Sequence, residues 1–293
     1  MSVYDIVTER ILKRMEETGV PPWRATWNTR PINLVSRKPY RGVNVLLLAF
    51  SQHTSPYWLT FNQAKKLGGT VKKGEHAETV VFYKPVSYAV EADEDSDTST
   101  PREKRAAVLQ YYNVFNVEQC ELPEGAVPVA EPKGDDLNAC KVVIAGYFAS
   151  GPQFEHGGLR ACYIPAKDLV RMPGQHTFDT YVDYYSTLFH ESIHSTGHST
   201  RLARPEITRT EDGAGQRDEA YSYEELVAEC GAMFLLAHTG ALEFASFDNS
   251  IAYLQGWASW LKDHKRAIVS AASAAQKACD YVLGIQQEVT DGA

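Results

Sequence analysis

The feature that most constrains this chain is the pentapeptide His190–His194, which has the pattern H-E-x-x-H. The residues from Tyr181 onward read as the first turns of one helix, and side chains four apart share a helical face. Both imidazoles can therefore bind one metal ion. Glu191 can lie beside a metal-bound water and act as its general base. The pattern predicts a hydrolytic metal site, and the alternative is two surface histidines on an ordinary helix.

A third metal ligand is expected downstream, because a catalytic zinc takes three protein ligands and keeps a fourth position for water. Glu225 and Glu229 lie one turn apart on a second predicted helix, whose apolar residues are Leu226, Val227, Cys230, Met233 and Phe234. In glutamate-type zincins (gluzincins), such a helix supplies a ligand and then a carboxylate that orients a histidine. We assign Glu225 as the ligand and Glu229 as the orienting carboxylate, with the reverse left open. His198 is an alternative ligand, although its spacing differs from that of metzincins.

The predicted cofactor is one divalent metal ion. Two histidines and a glutamate suit zinc, and manganese can occupy such a site as well. The chemistry that follows is metal-assisted peptide hydrolysis, in which Glu191 takes a proton and passes it to the leaving amine. An oxyanion stabiliser is also expected, and His198, Tyr221 and Tyr223 are equally open choices for it.

Composition places the chain among globular proteins. Its 293 residues are long enough for two domains, with 44% apolar and 23% charged side chains. No apolar run approaches the roughly 20 residues that span a bilayer, and the charged, amphipathic N-terminus is not a secretory signal. The 5 cysteines form no C-x-x-C pair. We therefore expect a reducing cytoplasm, no disulfide framework and no membrane partner.

Charge is distributed unevenly along the sequence. The first 90 residues hold 13 basic and 6 acidic side chains, and the remainder holds 16 and 31. Aromatic residues are interleaved with the cations of the basic part, a combination that suits single-stranded nucleic acid, because cations follow phosphates and aromatic faces stack on bases. The alternative is that the tryptophans are core residues. The residues predicted to contact DNA are Trp23, Arg24, Trp27, Lys38, Tyr40, Arg41, Asn44, Trp58, Lys65, Lys72 and Lys73.

The periodicity of helices and strands predicts an α+β protein of two domains. The first, residues 1–125, is small and mixed, and it contains an acidic and polar stretch, 91–100, that we interpret as a disordered insertion or loop. The second, residues 136–293, holds the H-E-x-x-H helix, preceded by a strand, Arg160–Ile164, whose edge can pair with an extended peptide. The segment 126–135, within a proline- and glycine-bearing stretch, is the expected linker.

The fragments PPWRATW, RKPYRGVNVLLL, YWLTFNQAKKLGGTVKKGE and VVFYKP, in this order, resemble the N-terminal domain of ArdC-type antirestriction proteins and plasmid TraC primases. The fragments YYSTLFHESIHSTGHSTRLAR and YSYEELVAECGAMFL resemble the zincin-like metallopeptidase domain at the C-terminus of ArdC-type proteins. The resemblance implies single-stranded DNA binding in the first domain. It also implies a metal site at His190, Glu191, His194, Glu225 and Glu229.

Three functions remain to be distinguished. The favoured one is an antirestriction protein that binds single-stranded DNA, carries a metalloprotease-type domain and protects conjugative plasmid DNA. Its peptidase substrate would be a host protein related to restriction. The second is a DNA-coating protein whose zincin domain is structural or inactive as a peptidase. The third is a metallopeptidase with no DNA role.

Overall fold

The computed structural model describes residues 2–18, 30–49, 51, 53–90, 102–128, 137–211, 219–241 and 258–286. These residues form helices and strands in two domains, which confirms the predicted α+β class. The linker predicted at 126–135 lies largely outside the described residues, and its boundaries stay a prediction. None of the described helices combines the length and apolar character needed to cross a membrane.

The first domain is built on a four-stranded sheet with the order β1-β2-β5-β4 and a small β3-β6 pair. Its elements are α1 (Val3–Thr18), β1 (Ile32–Asn33), α2 (Val43–Ala49), β2 (Tyr57–Leu59), α3 (Phe61–Lys66), β3 (Thr70–Val71), β4 (Glu78–Val90), β5 (Arg102–Asn116) and β6 (Cys120–Glu121). Every residue of α2 is buried, because the helix is covered by α1, by β4 and by the C-terminal helix. A capping box between Thr60 and Gln63 fixes the start of α3.

β4 and β5 form a long antiparallel hairpin. The pairing runs without interruption from Glu78 opposite Val114 to Val90 opposite Arg102. The acidic stretch 91–100, which lies outside the described residues, therefore connects two paired strands of one hairpin.

The second domain combines a three-stranded sheet with a helical layer. Its elements are α4 (Leu137–Phe148), β7 (Gln153–His156), β8 (Cys162–Ile164), β9 (Leu169–Met172), α5 (Tyr181–Thr196), α6 (Pro205–Glu211), α7 (Glu219–Thr239) and α8 (Ala267–Val282). β9 is central, with β7 parallel on one side and β8 antiparallel on the other. β8, the predicted peptide-binding strand, is thus an edge strand, and it contacts α5.

The C-terminal region contains two helical segments among the described residues. Residues 258–263 are helical, 264–266 are not, and α8 then begins at Ala267, while 251–257 lie outside the described residues. α8 packs against α7, α5 and α4 of its own domain and against α1 and α2 of the first. Alanines on its buried face permit this close packing, and one apolar core therefore extends through both domains.

Candidate metal centre

Local contacts fix the two ends and the rotation of helix α5, which carries the H-E-x-x-H residues. The side chain of Thr180 accepts a hydrogen bond from the amide of Asp183 and caps the N-terminus, and Gly197 ends the helix. Leu188, Phe189 and Ile193 are buried on the core side and fix the rotation of the helix. His190 and His194 then project from one face, toward α7.

Helix α7 approaches α5 closely at Gly231. A Cβ at this position would lie 2.7 Å from Cδ1 and from Cγ1 of Ile193, which leaves no room for a larger residue. Because the two helices touch here, Glu225 and Glu229 reach the imidazoles on α5. Among the described residues, His190, His194 and Glu225 form one group whose ligand atoms all lie within 4.8 Å of one another.

The three predicted ligand side chains point their donor atoms at a common centre. The Nε2 atoms of His190 and His194 are 3.1 Å apart. One carboxylate oxygen of Glu225 is 3.4 Å from Nε2 of His190, and the other is 3.5 Å from Nε2 of His194. Two atoms that each lie roughly 2.1 Å from a tetrahedral ion are roughly 3.4 Å from each other. The spacing and the donor set therefore fit a metal ion.

Each histidine has a carboxylate behind its ring, at the nitrogen that faces away from the centre. Oε1 of Glu229 lies 3.5 Å from Nδ1 of His190, and Oε1 of Glu224 lies 3.1 Å from Nδ1 of His194. Such carboxylates hold the ring orientation and the tautomer that leaves Nε2 free for a metal. Glu229 occupies the position expected of an orienting carboxylate. Glu224 was missed, although it directly precedes the predicted ligand.

Arg204 holds Glu224 in place. Its guanidinium donates to both carboxylate oxygens, with Nε at 2.9 Å and Nη2 at 2.6 Å, and it also donates to the side chain of Thr196 and the carbonyl of Ile193 on α5. Arg204 and Glu224 are both buried, so the loss of either one would leave the other as an unpaired buried charge. The polar, glycine-bearing composition of residues 204–220 predicts a flap or a disordered stretch. That prediction is wrong for residues 204–211, since Arg204 is buried and 205–211 form α6.

The electrostatics of the pocket favour a positive charge at its centre. Burial lowers the pKa of His194, but hydrogen bonding to Glu224 and Glu225 outweighs it and raises the pKa to about 10. Burial also lowers the pKa of His190, but Glu225 and Glu229 outweigh it, so the pKa of His190 is raised as well. The pKa of Glu225 is lowered, because the two imidazoles outweigh its burial. The same acidic surroundings favour a bound cation.

Glu191 is positioned by the edge strand β8. The backbone amide of Tyr163 donates a 2.7 Å hydrogen bond to Oε2 of Glu191. Tyr163 is itself anchored, since its hydroxyl donates to Asp168, and Arg201 forms a salt bridge with the same carboxylate. Arg201 also donates to the carbonyl of Ser195 on α5. This network fixes β8 to the H-E-x-x-H helix.

His198 and Tyr223 do not join the centre. Nδ1 of His198 lies 2.8 Å from the hydroxyl of Thr200, and His198 is outside the group formed by the two histidines and Glu225. Tyr223 is half-buried, with its hydroxyl bonded to Ser270 on α8. The structure therefore supports neither His198 as a ligand nor Tyr223 as an oxyanion group, and the side chain of Tyr221 is outside the described residues.

The predicted DNA-contacting residues fall into separate places. Trp58 is 0% exposed and Asn44 is buried with its amide bonded to both backbone groups of Val81, so neither side chain is open to a nucleic acid. The ring of Tyr40 is also buried. Lys38, Tyr40 and Arg41 line one cavity. The exposed lysines lie outside this cavity, Lys65 on α3 and Lys72 and Lys73 directly after β3, and Trp23, Arg24 and Trp27 lie outside the described residues.

Comparison with known proteins agrees with both halves of this description. Residues 1–115 match the family model of the N-terminal domain of anti-restriction factor ArdC, and residues 145–274 match that of a zincin-like metallopeptidase. The metal-free crystal structure of the antirestriction protein ArdC of plasmid R388 is 35% identical, covers 98% of this chain and 100% of its own, and superposes with a TM-score of 0.74. The chain belongs to the ArdC family of antirestriction proteins. A Mn(II)-bound structure of the same relative is 33% identical, covers 99% and 100%, and has a TM-score of 0.71.

Two further relatives extend the family. The uncharacterized protein y4eC of Sinorhizobium fredii is 30% identical over 98% of this chain and 93% of its own length. The DNA primase TraC of Escherichia coli is 29% identical over 97% of this chain but only 27% of TraC. The chain thus spans about a quarter of TraC, and the activity of that larger protein does not carry over directly.

Proposed function

We propose that this ArdC-family protein binds single-stranded DNA and carries a metal-dependent peptidase-type centre, and that it protects conjugative plasmid DNA from restriction in the cytoplasm of the recipient cell. The observation that carries the catalytic half is the convergence of the donor atoms of His190, His194 and Glu225 beside Glu191. A structural zinc site would need no acid of this kind at its side. The arrangement therefore favours hydrolysis over a purely structural ion.

His190, His194 and Glu225 would hold the ion. We infer zinc from the donor set, and manganese is supported by the Mn(II)-bound structure of the R388 relative. When bound, the metal supplies Lewis acidity toward a peptide carbonyl and lowers the pKa of a bound water. Glu224 and Glu229 keep the two imidazoles oriented for this task.

Glu191 is the proton carrier in this proposal. The amide of Tyr163 holds one oxygen of its carboxylate, and the other would accept a proton from the nucleophilic water. The same oxygen then returns the proton to the leaving nitrogen. Because β8 is an edge strand beside Glu191, an extended segment of a protein can align along it. We infer that this protein substrate is a host factor related to restriction.

The DNA-binding half rests on different residues. It is supported by the match to the ArdC N-terminal domain, by the name of the TraC relatives, which are DNA primases, and by the basic balance of the first 90 residues, with 13 cations against 6 acids. Single strands fit better than duplex, because exposed aromatic rings on β4 and β5 can stack only on unpaired bases.

Metal content and protection, measured on the same variants, test the proposal. The wild-type chain should retain one divalent ion after dialysis, His190→Ala/His194→Ala should retain none, and His198→Ala should behave as wild type, because it lies outside the centre. Glu191→Gln should keep the ion and lose protection of unmodified plasmid DNA during conjugation into a restricting host. Full protection by Glu191→Gln would instead favour the second candidate, a DNA-coating protein whose zincin domain is not a peptidase.

A further inference from the structure

A cleft runs along α8 between the two domains. It consists of a cavity of about 710 Å³ between the β4–β5 hairpin and α8, and an adjoining cavity of about 610 Å³ that continues toward Arg204 and Tyr223. The two cavities share walls at Tyr83, Val269, Ser273 and Lys277. We call this continuous space the junction cleft.

The junction cleft is positively charged. Its described lining contains no aspartate or glutamate but five cations, although the whole chain has a net charge of −8: Lys38, Arg41, Arg204, Arg266 and Lys277. Two of these cations form salt bridges with acidic residues outside the cleft lining: Arg41 with Asp280, and Arg204 with Glu224. Lys38 and Lys277 are exposed and pair with no carboxylate among the described residues. An acid-free surface on an acidic protein attracts an anion of several charges.

Aromatic rings stand open in the same cleft. Phe82 on β4 is 47% exposed and Tyr112 on β5 is 43% exposed, with their ring centroids 5.8 Å apart in an edge-on arrangement. The ring of Tyr40 packs against the ring of Phe82, and the two ring centroids are 6.3 Å apart. Large aromatic side chains are usually covered, and here the two rings leave faces available for stacking beside unpaired cations. Phosphates together with planar bases are the ligand that needs both groups.

We propose that single-stranded DNA lies in the junction cleft, with a base stacked against Phe82 and Tyr112 and phosphates beside Lys38 and Lys277. This proposal rests on the proposed single-stranded DNA binding and names the surface that performs it. Lys277 is on α8, so the binding surface is composite: the helix that packs on the ligand-bearing α7 also forms one wall of the DNA site. The strand would continue past Lys277 toward Arg266, whose guanidinium lies 5.2 Å from the ring centroid of Tyr4.

The competing surface is the group of exposed lysines on α3 and directly after β3, which consists of Lys65, Lys72 and Lys73. It supplies the matched control, since Lys65 and Lys73 are as exposed as Lys38 and Lys277 but lie outside the cleft. The full-length chain would be titrated into a labelled 20-nucleotide thymidine oligomer at several salt concentrations. Lys38→Gln/Lys277→Gln should weaken binding at least about tenfold and reduce the salt slope by about 1.4, since each phosphate contact on a single strand contributes about 0.7.

Stacking is tested separately from charge. Phe82→Ala/Tyr112→Ala should weaken binding about 5- to 150-fold without changing the salt slope. If Tyr112 is replaced by phenylalanine instead of alanine, the aromatic ring is kept, so Tyr112→Phe should restore affinity. Circular dichroism and metal content report whether each variant is folded. A folded Phe82→Ala/Tyr112→Ala variant with wild-type affinity would overturn the stacking assignment.

The outcomes separate the two proposals. If wild-type protein does not bind the oligomer, the proposed DNA function itself fails. If wild type binds and Lys65→Gln/Lys73→Gln loses as much affinity as Lys38→Gln/Lys277→Gln, or more, the junction cleft is not the binding site. If only the cleft variants lose affinity, the placement is supported.

Discussion

The spacing of α5 and α7, the two helices that carry the candidate metal ligands, depends on Gly231. An alanine there would place its Cβ 2.7 Å from Cδ1 and Cγ1 and 3.0 Å from Cγ2 of Ile193. Ile193 is fully buried and β-branched, so its χ1 has one strongly preferred rotamer on a helix and cannot turn away. Gly231→Ala should therefore move α7 away from α5 and carry Glu225 away from the imidazoles.

Two effects of opposite sign determine the size of the change. Overpacking a core costs about 1–3 kcal/mol, and replacing glycine with alanine inside a helix contributes about 1 kcal/mol of helix propensity. With Ile193 present, Gly231→Ala should destabilise by about 0–2 kcal/mol. With Ile193→Ala the clashing atoms are gone, so the same change should stabilise by about 1 kcal/mol. The coupling between the two sites should then be about 1–3 kcal/mol.

Urea unfolding of the wild type, both single variants and the double variant measures this coupling. Calorimetric titration with Mn(II) or zinc should show weaker binding by Gly231→Ala, since Glu225 moves with α7. Gly146→Ala is the control: this glycine is inside α4, and an added Cβ would meet nothing within 4 Å, so only propensity should change. If Gly231→Ala has the same effect with Ile193 and with Ala at position 193, the helix spacing is not set by this contact.

Two charged pairs, Arg204 with Glu224 and Arg201 with Asp168, give further predictions. Arg204→Met leaves Glu224 buried without its partner and should cost about 3–5 kcal/mol in urea unfolding, whereas Arg204→Met/Glu224→Met should recover much of that loss; equal losses would contradict a buried ion pair. At Asp168, burial raises the pKa, but hydrogen bonds from Arg201 and Tyr163 outweigh it and the pKa is lowered. A lowered folded pKa gives stability that is present above about pH 4 and lost as the pH falls through the folded value. Asp168→Asn should therefore have a lower Tm at pH 6 and a smaller fall in Tm between pH 6 and 3; parallel Tm curves would count against it.

The juxtaposition of the two candidate ligand histidines could be predicted from the sequence because its geometry is local. A spacing of four residues on one helix places His190 and His194 side by side whatever the rest of the chain does. Glu225 could be found because it lies on the face of an amphipathic helix in the same domain. The rotation of α7 against α5, however, is set by tertiary packing at Gly231. Periodicity alone could therefore not predict which acid contacts which imidazole, and Glu224 was missed for this reason.

The first domain shows a different limit. The interleaving of aromatic residues and cations indicates a nucleic-acid partner but says nothing about which rings are open. Trp58 is buried because β2 is an interior strand, paired with β1 on one side and β5 on the other. Phe82 and Tyr112 are open because the β4–β5 hairpin has one face toward the junction cleft. Exposure depends on sheet order, which no local sequence pattern in these strands specifies.

Helix α8 is the element on which both proposed activities depend. Its alanines 271, 272, 275 and 278 are fully buried, and Gln276 accepts a 3.1 Å hydrogen bond from the amide of Gly42 in the first domain. Gly42 has a φ of +56°, and a Cβ there would lie 3.6 Å from the carbonyl oxygen of Ala272, so its backbone contacts the helix directly. Separating the domains would expose this apolar face and remove Lys277 from the proposed DNA site. Because α8 also packs along α7, which carries Glu225, the junction cleft and the candidate metal centre are two surfaces of one packed unit rather than properties of two independent domains.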